Sequence, residues 1–315
     1  MKAIDLFAGT GAFSLSLERL GCEVVYANDS SPHSRDIYTH NFPKHRFHCG
    51  DVMDVQPNQV PAHDILTMGF PCVSFSNLGK RQGFDDARAQ TVFHVLKLVE
   101  HHQPLAVVVE NVKSLLSHDK GRSFTRLKDE FARIGYHVKH CVVDTAKITH
   151  IPHHRERVFL VALRKPEHFA KLDLTFEETD TADFRHYLEP HAPGKYFYDG
   201  RFKCWDLLQR TVLRNDRVYQ LRYFEGGYVR ELEQVPCLTG SCGTGGHMVP
   251  LIYDRDKRIR KLTPREVFNF QGFPESYSLC GPSDSRLYQL AGNSITVSVG
   301  TKVLDRVMRA IKTPP

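Results

Sequence analysis

Residues 3–21 read Ala3-Ile4-Asp5-Leu6-Phe7-Ala8-Gly9-Thr10-Gly11-Ala12-Phe13-Ser14-Leu15-Ser16-Leu17-Glu18-Arg19-Leu20-Gly21. Ala3 to Phe7 has the composition of a buried strand, and Gly9-Thr10-Gly11 is a turn. Phe13, Leu17 and Leu20 then recur at helical spacing until Gly21, a residue suited to a helix C-cap. The alternation continues. Glu23 to Ala27 reads as a second strand, and His63 to Met68 as a third that runs into Gly69-Phe70-Pro71-Cys72. Thr91 to Val99 reads as helix. Leu105 to Val109 is a β-branched run of the kind found in strands buried on both faces of a parallel sheet. Phe124, Leu127, Phe131 and Ile134 mark one face of another helix, closed at Gly135, and His137 to Val143 and Arg157 to Leu163 read as further strands. This order predicts a doubly wound, Rossmann-like α/β sheet, in which ligands bind at the carboxyl ends of the strands.

The pattern changes after about Arg164. Helical periodicity fades, and short strand-like pieces stand between glycine clusters (Gly226-Gly227, Gly240 to Gly246). Helix signals return at Thr263, and Val297 to Ile311 reads as a terminal helix. The expected organisation is a catalytic and cofactor-binding domain over 1–164, a smaller strand-rich domain over 165–262, and a segment over 263–315 that packs back onto the first.

The chain has 315 residues, 41% hydrophobic and 25% charged, which excludes disordered and fibrous classes. Apolar runs such as Leu105 to Val109 fall far short of the roughly 20 residues of a membrane span. The N-terminus has no signal-peptide apolar region. A cytosolic protein is expected. The formal charge is +6, too small to identify a partner, but its distribution is uneven. Lys165 to His191 carries three Lys/Arg against seven Asp/Glu, whereas Lys195 to Arg230 carries eight against four, interleaved with aromatics such as Tyr196, Trp205 and Tyr223. Basic and aromatic residues mixed in this way suit a nucleic-acid groove, or equally a solvated strand-rich face. Eight cysteines at irregular spacing contain no C-x-x-C pair, and the histidines at 150, 153 and 154 lack zinc-site spacing, so neither a disulfide framework nor a metal site is expected.

Three segments carry candidate chemistry. Gly9 and Gly11 let backbone approach a nucleotide-like ligand, and Asp29 and Asp51 follow later strands where an acid can accept hydrogen bonds from ribose hydroxyls. Ser14 occupies the place of the third glycine in G-x-G-x-x-G, which disfavours a nicotinamide cofactor. Cys72 stands just past a strand end with Lys80, Arg81 and Arg88 nearby, a setting that favours a thiolate nucleophile. Glu110 ends the most buried strand, where a carboxylate is paired, functional, or a cap for the following segment. Arg155-Glu156-Arg157 could hold a phosphate or base oxygen, or form a surface ion network.

Taken in order, these segments resemble the motifs of the cytosine-5 DNA methyltransferases, specifically the short bacterial enzymes of restriction–modification systems. The matching stretches are Asp5-Leu6-Phe7-Ala8-Gly9-x-Gly11, Gly50-Asp51, Gly69-Phe70-Pro71-Cys72, Glu110-Asn111-Val112, Arg155-x-Arg157, Arg260-x-Leu262-Thr263-x-Arg265-Glu266, Gln271-Gly272-Phe273-Pro274 and Gly292-Asn293-Ser294. The resemblance implies S-adenosyl-L-methionine as cofactor and double-stranded DNA as substrate. It implies Cys72 as the nucleophile at cytosine carbon 6, Glu110 at ring nitrogen 3, and Arg157, with Arg155 beside it, at the base oxygen. Phe7, Gly9, Gly11, Asp29, Asp51, Pro71 and Asn293 match cofactor contacts. The target base would be flipped out of the duplex, and the segment from Ser74 to Arg88, with Ser76, Lys80, Arg81 and Arg88, would close over it. Residues 165 to 255 fall where the family keeps its variable recognition region, with Arg217, Arg222, Arg230, Gly243, Thr244 and Gly245 as DNA-contact candidates; the glycines there could equally be hairpin turns. A monomer without metal is expected.

The chain departs from the family pattern at Val73 (usually glutamine), Ala12 (a second glycine), Asp29 (glutamate) and His153 (glutamine). An RNA cytosine-5 methyltransferase is the nearest alternative, but its Pro-Pro-Cys and Cys-Phe-Thr signatures do not occur here. A non-catalytic DNA-binding regulator is disfavoured by the joint presence of Cys72, Glu110 and Arg157.

Overall fold

A computed structural model of the protein describes residues 1–70, 87–211 (backbone alone for 87–89), 213–222, 227–244, 248–254, 256 and 258–312. The chain forms two compact units. The first gathers Met1–Val143, Glu156–Glu177 and Val297–Pro315, and the second gathers Asp144–Arg155 and Glu178–Thr296.

The first unit runs β1 (Lys2–Leu6), α1 (Ala12–Arg19), β2 (Glu23–Asp29), α2 (Pro32–Asn41), β3 (Phe47–Cys49), β4 (Ile65–Met68), α3 (Ala87–His102), β5 (Ala106–Val112), α4 (Arg122–Arg133) and β6 (His137–Asp144). In the second unit α5 (Thr145–Ile148) follows; the first resumes with β7 (Glu156–Leu163) and α6 (Pro166–Lys171). The seven strands lie in the order β3-β2-β1-β4-β5-β7-β6. The neighbours from β3 to β5 pair in parallel, as the alternating pattern predicts. β7 departs from it: it runs antiparallel to β5, from Ala106 opposite Leu163 to Val112 opposite Arg157. The sheet is therefore mixed; only a four-residue helical turn, α5, lies in the short connection from β6 to β7.

The helices begin and end where chain chemistry dictates. Gly21 and Gly135 close α1 and α4 with φ of 75° and 87°, values that cost an L side chain energy and glycine none. Helix α2 carries few apolar residues, with Ile37 and Tyr38 its buried ones beside Ser34. Its signal is terminal: the Ser31 side chain accepts from the Ser34 amide, and Pro32 occupies the first turn.

The second unit contains a four-stranded antiparallel sheet, β11-β10-β8-β9, from β8 (Val218–Arg222), β9 (Tyr228–Leu232), β10 (Pro250–Tyr253) and β11 (Ile259–Lys261). Tyr219, Leu221, Leu251 and Ile259 form its core with Leu208 of α7 (Trp205–Arg210). The strand-like readings of the earlier residues resolve differently. Residues 165–217 hold no strand among those described, only short helices, 3-10 turns and an isolated bridge at Phe197, because prolines 190 and 193 and glycines 194 and 200 interrupt any pairing run. The unit continues through α8 (Pro264–Phe270) and α9 (Asp284–Asn293), and α10 (Val297–Lys312) returns the chain to the first unit, packed on α1. There Ser16 donates to the carbonyl of Val297 at 3.0 Å.

Among the described residues no helix is long and apolar enough to cross a membrane, and no group of three His, Cys, Asp or Glu side chains could hold a metal.

The N-terminus of α8 is fixed by a buried ion pair. Arg260 meets Glu266 through two hydrogen bonds of 2.7 and 2.6 Å, both side chains nearly free of solvent. Glu266 also accepts from the Thr263 and Glu189 amides. Removing one partner strands a buried charge. Glu266→Ala is therefore expected to cost about 3–5 kcal/mol, read as a lower denaturant midpoint in equilibrium unfolding.

Candidate active site

The carboxyl ends of five neighbouring strands carry the predicted chemistry in spatial order. Asp51 follows β3, Asp29 ends β2, the Phe7–Gly11 turn follows β1, Gly69 and Phe70 follow β4, and Glu110 lies near the end of β5. Strand order reverses between β1 and β4, the point where open α/β sheets bind ligands.

The turn after β1 is shaped for close approach. Phe7, Gly9 and Gly11 all have positive φ, 57°, 53° and 75°. A side chain at Gly11 would meet the Phe42 ring at 2.4 Å, whereas one at Gly9 would meet only the Phe7 carbonyl at 3.9 Å. The glycine that cannot change is thus Gly11; buried Ala12 starts the helix without strain. Asp29 holds the turn, one oxygen accepting from the Gly9 amide and the other from the Ser31 amide, each at 2.8 Å. Asp51 is exposed and accepts from the Met53 amide at 2.9 Å. An ionised carboxylate offers about four acceptor sites, so both acids keep capacity for hydroxyls of a nucleoside.

Below the turn a hydrogen-bonded chain runs from the core to the surface. Asp5, fully buried, accepts from Thr67 at 3.0 Å, from the Ser14 amide at 3.1 Å and from the Ser14 hydroxyl at 2.7 Å. Ser14 meets the Tyr38 hydroxyl at 2.7 Å, Tyr38 meets His45 Nδ1 at 3.0 Å, and His45 Nε2 meets Glu18 at 3.0 Å. Burial pushes the Asp5 carboxyl up to about 7, against the hydrogen bonds that lower it, and burial pulls His45 below its ordinary value.

The register of β5 against β7 puts Glu110 and Arg157 on one face, because Phe159 lies opposite Glu110 and Arg157 is two residues from it. Arg157 Nε meets Glu110 Oε1 at 3.1 Å, and both side chains are largely buried. Glu110 also lies over Gly69, whose Cβ position is 3.5 Å from Oε2. Asn111 donates through Nδ2 to the Phe70 carbonyl at 3.0 Å. That bond fixes the chain immediately before Pro71 and Cys72, a positioning role the sequence reading did not assign to Asn111. Pro71, Cys72, Ser76, Lys80, Arg81 and Gly245 lie outside the described residues, as does the side chain of Arg88.

The second unit holds the remaining candidates. Arg155 is 2% exposed. Its guanidinium donates to the carbonyls of Leu238, Gly292 and Ser294. His153, fully buried, spans two backbone groups: Nδ1 meets the Phe270 carbonyl at 3.2 Å, and Nε2 accepts from the Leu238 amide at 3.1 Å. A glutamine amide also carries donor and acceptor groups and can serve the same two backbone groups. Arg217 sits among Asp216, Glu231 and Glu233. Arg222 and Arg230 share the sheet face opposite Tyr219 and Leu221, and Arg230 is exposed. Gly243 is buried under the Tyr288 ring, 2.3 Å from its Cβ position, while Thr244 is exposed. Asn293 ends α9 and is exposed.

A family model for C-5 cytosine-specific DNA methylases matches residues 1–309. The chain belongs to that family. Among curated relatives of this methylase is the type II methyltransferase M.Bsp6I of Bacillus sp. (strain RFL6), 34% identical over 99% of both chains. M.HhaI of Haemophilus parahaemolyticus is 29% identical, over 95% of this chain and 91% of its own. Among solved structures, the Entamoeba histolytica methyltransferase EhMeth superposes with a TM-score of 0.80 at 18% identity, covering 99% of each chain. The S. pombe Dnmt2 methyltransferase does so with 0.76 at 18%, again over 99% of each. These likenesses share the fold. The methylase is a DNA cytosine-5 methyltransferase with an α/β sheet of mixed direction and a second, antiparallel sheet.

The raised Asp5 carboxyl has a thermodynamic sign. Between about pH 4 and pH 7 the folded chain holds a proton there that the unfolded chain releases. This contribution to stability is full below pH 4 and is lost as pH rises through 7, a change of about 4 kcal/mol. Asp5→Asn keeps the shape, since Thr67 can turn its hydroxyl to the Ile4 carbonyl at 3.2 Å and accept from the new amide. Urea midpoints measured from pH 5 to 8 should fall more steeply for the wild type than for Asp5→Asn.

Proposed function

We propose that the protein transfers a methyl group from S-adenosyl-L-methionine to carbon 5 of a specific cytosine in double-stranded DNA, as the modification enzyme of a type II restriction–modification system. The observation that carries this is the Glu110–Arg157 pair above Gly69, three residues before Cys72. A pyrimidine needs, at one place, a nucleophile for carbon 6, an acid for nitrogen 3 and a cation for the exocyclic oxygen. Glu110, on β5 next to the strand that leads to Cys72, would supply the second, and Arg157, on β7 beside β5, the third.

In this reading the Cys72 thiolate adds to carbon 6 while Glu110 hydrogen-bonds nitrogen 3 and Arg157 holds the base oxygen as negative charge develops on the ring. Carbon 5 thereby becomes nucleophilic. The cofactor supplies an activated methyl group on a sulfonium centre. After transfer, carbon 5 loses its proton to a base and the carbon 6–sulfur bond breaks, returning the thiolate. Arg157 keeps Glu110 aligned before substrate arrives, which lowers the reorganisation needed on binding. Phe7, Gly9, Gly11, Asp29 and Asp51 would hold the nucleoside part: the open side of Gly9 admits it, and the remaining acceptor sites of the two acids suit ribose hydroxyls.

Neither carbon 5 nor carbon 6 is reachable inside a stacked duplex, so the target base leaves the helix, at roughly a few kcal/mol. Arg222, Arg230 and Thr244 are exposed or partly exposed in the second unit and would meet phosphates or base edges there. A single recognition unit needs no second subunit, and the protein would act as a monomer in the bacterial cytosol.

The test is transfer of labelled methyl to mixed-sequence duplex DNA and, in parallel, to total tRNA. Label on DNA cytosine that vanishes with Cys72→Ser is the expected result. Label confined to tRNA would overturn the DNA assignment. Glu110→Gln should lower kcat by roughly 10²-fold or more, and Arg157→Lys by about 10–100-fold, with cofactor binding retained.

A further inference from the structure

We infer that Arg155 is a positioning residue for DNA sequence recognition, which holds the backbone of the loop at residues 237–243 in place and touches no substrate. The inference rests on the DNA methyltransferase reading above and adds to it what fixes the recognition loop.

The observation is a convergence on one peptide. Leu238 is fully buried; its amide donates to His153 Nε2 at 3.1 Å, and its carbonyl accepts from Arg155 Nη1 at 2.9 Å. Both polar groups of that residue are therefore held by side chains two positions apart on one strand of chain. The second arm of the same guanidinium, Nη2, donates to the carbonyls of Gly292 and Ser294 at 3.0 and 2.6 Å. One planar fork thus pins the loop to the segment 292–294. Gly292 completes the clamp from the other side, since a Cβ there would lie 2.1 Å from the Thr239 carbonyl carbon and 2.3 Å from the Gly240 nitrogen. Only backbone against backbone fits.

A third tie acts at the far end of the loop. Lys261 Nζ donates to the Gly243 carbonyl at 2.5 Å, and Gly243 itself lies under Tyr288. Between these fixed points Thr239 and Ser241 are exposed, as is Thr244 just beyond, while Leu238, Cys242 and Gly243 are buried. The pattern is that of a loop whose outer face is offered and whose backbone cannot shift. Base-edge discrimination needs contacts held to within about 0.5 Å, and one mismatched pair changes affinity by roughly tenfold or more. A loop released at Leu238 loses that discrimination before it loses chemistry. Lysine cannot replace the fork, because a compact ammonium on a flexible stem does not bridge two diverging carbonyl sites.

The experiment has two independent readouts on Arg155→Lys, His153→Gln and Lys261→Met, each checked by thermal melting. The first is methylation of a duplex pool with a randomised central region, sequenced for the contexts of modified cytosines. The second is hydrogen exchange at the Leu238 amide in the folded protein without DNA. Arg155→Lys should broaden the methylated contexts, with cognate-to-mismatch discrimination down by about tenfold, accelerate exchange at Leu238, and leave kcat on the wild-type sequence within about threefold. His153→Gln should preserve both readouts. If Arg155→Lys does not fold, Lys261→Met decides: broadened contexts are expected, and unchanged contexts overturn the proposal. A loss of kcat with contexts and exchange unchanged would make Arg155 a substrate contact and overturn it as well. If the wild type labels no DNA at all, the methyltransferase reading fails instead, and exchange at Leu238 still reports whether the clamp exists.

Discussion

A carboxylate and a guanidinium share a nearly dry site at the end of β5, and this pairing constrains more than its two members. Each charge would be costly there alone, so the antiparallel register that sets Val112 against Arg157 must hold for the site to exist. That register in turn requires β7 to enter the sheet reversed, between β5 and β6. A one-residue slip would turn Arg157 to the other face and leave Glu110 without its partner. The mixed sheet is therefore a condition of the chemistry as much as a feature of the topology.

The segment from His153 to Arg157 divides its work by position along the chain. Arg157 faces Glu110 in the first unit. Arg155 and His153 spend their donors and acceptors on backbone within the second. Two arginines that look equivalent in the sequence as Arg155-Glu156-Arg157 have unlike environments: one meets a carboxylate, the other three carbonyls. No property of the tripeptide distinguishes them, because the difference lies in partners remote in the chain: Glu110 for Arg157, and Leu238, 83 residues away, for Arg155. Asn111 is a similar case. Its amide holds the Phe70 carbonyl across 41 residues, a pairing that no local pattern announces.

Local patterns were legible where they are self-contained. The strand–turn–helix at residues 3–21 has its apolar spacing and its glycine stop within one window, and the structure places both within a residue of the reading. The ordering of Phe7, Asp29, Asp51, Gly69 and Glu110 along the strand ends follows from alternation and the rule for open sheets. Helix α2 escaped because its stability comes from a cap and a proline, with little apolar periodicity. The run from 165 to 217 misled because aromatic and β-branched residues there pack without pairing. At Gly243 a groove contact and an internal ring contact would make the same demand on a backbone, and the Tyr288 ring that packs there is 45 residues away in the chain, beyond any local pattern.

The helix α10 covers α1 although 281 residues separate Ser16 from its partner Val297. During synthesis at roughly 5–20 residues per second, the face of α1 bearing Ser16 waits about 15–55 s for its cover. The nascent chain therefore passes through a long interval in which α1 lacks its neighbour from the far end of the unit. The first unit is thus completed by a contact between its two distant ends.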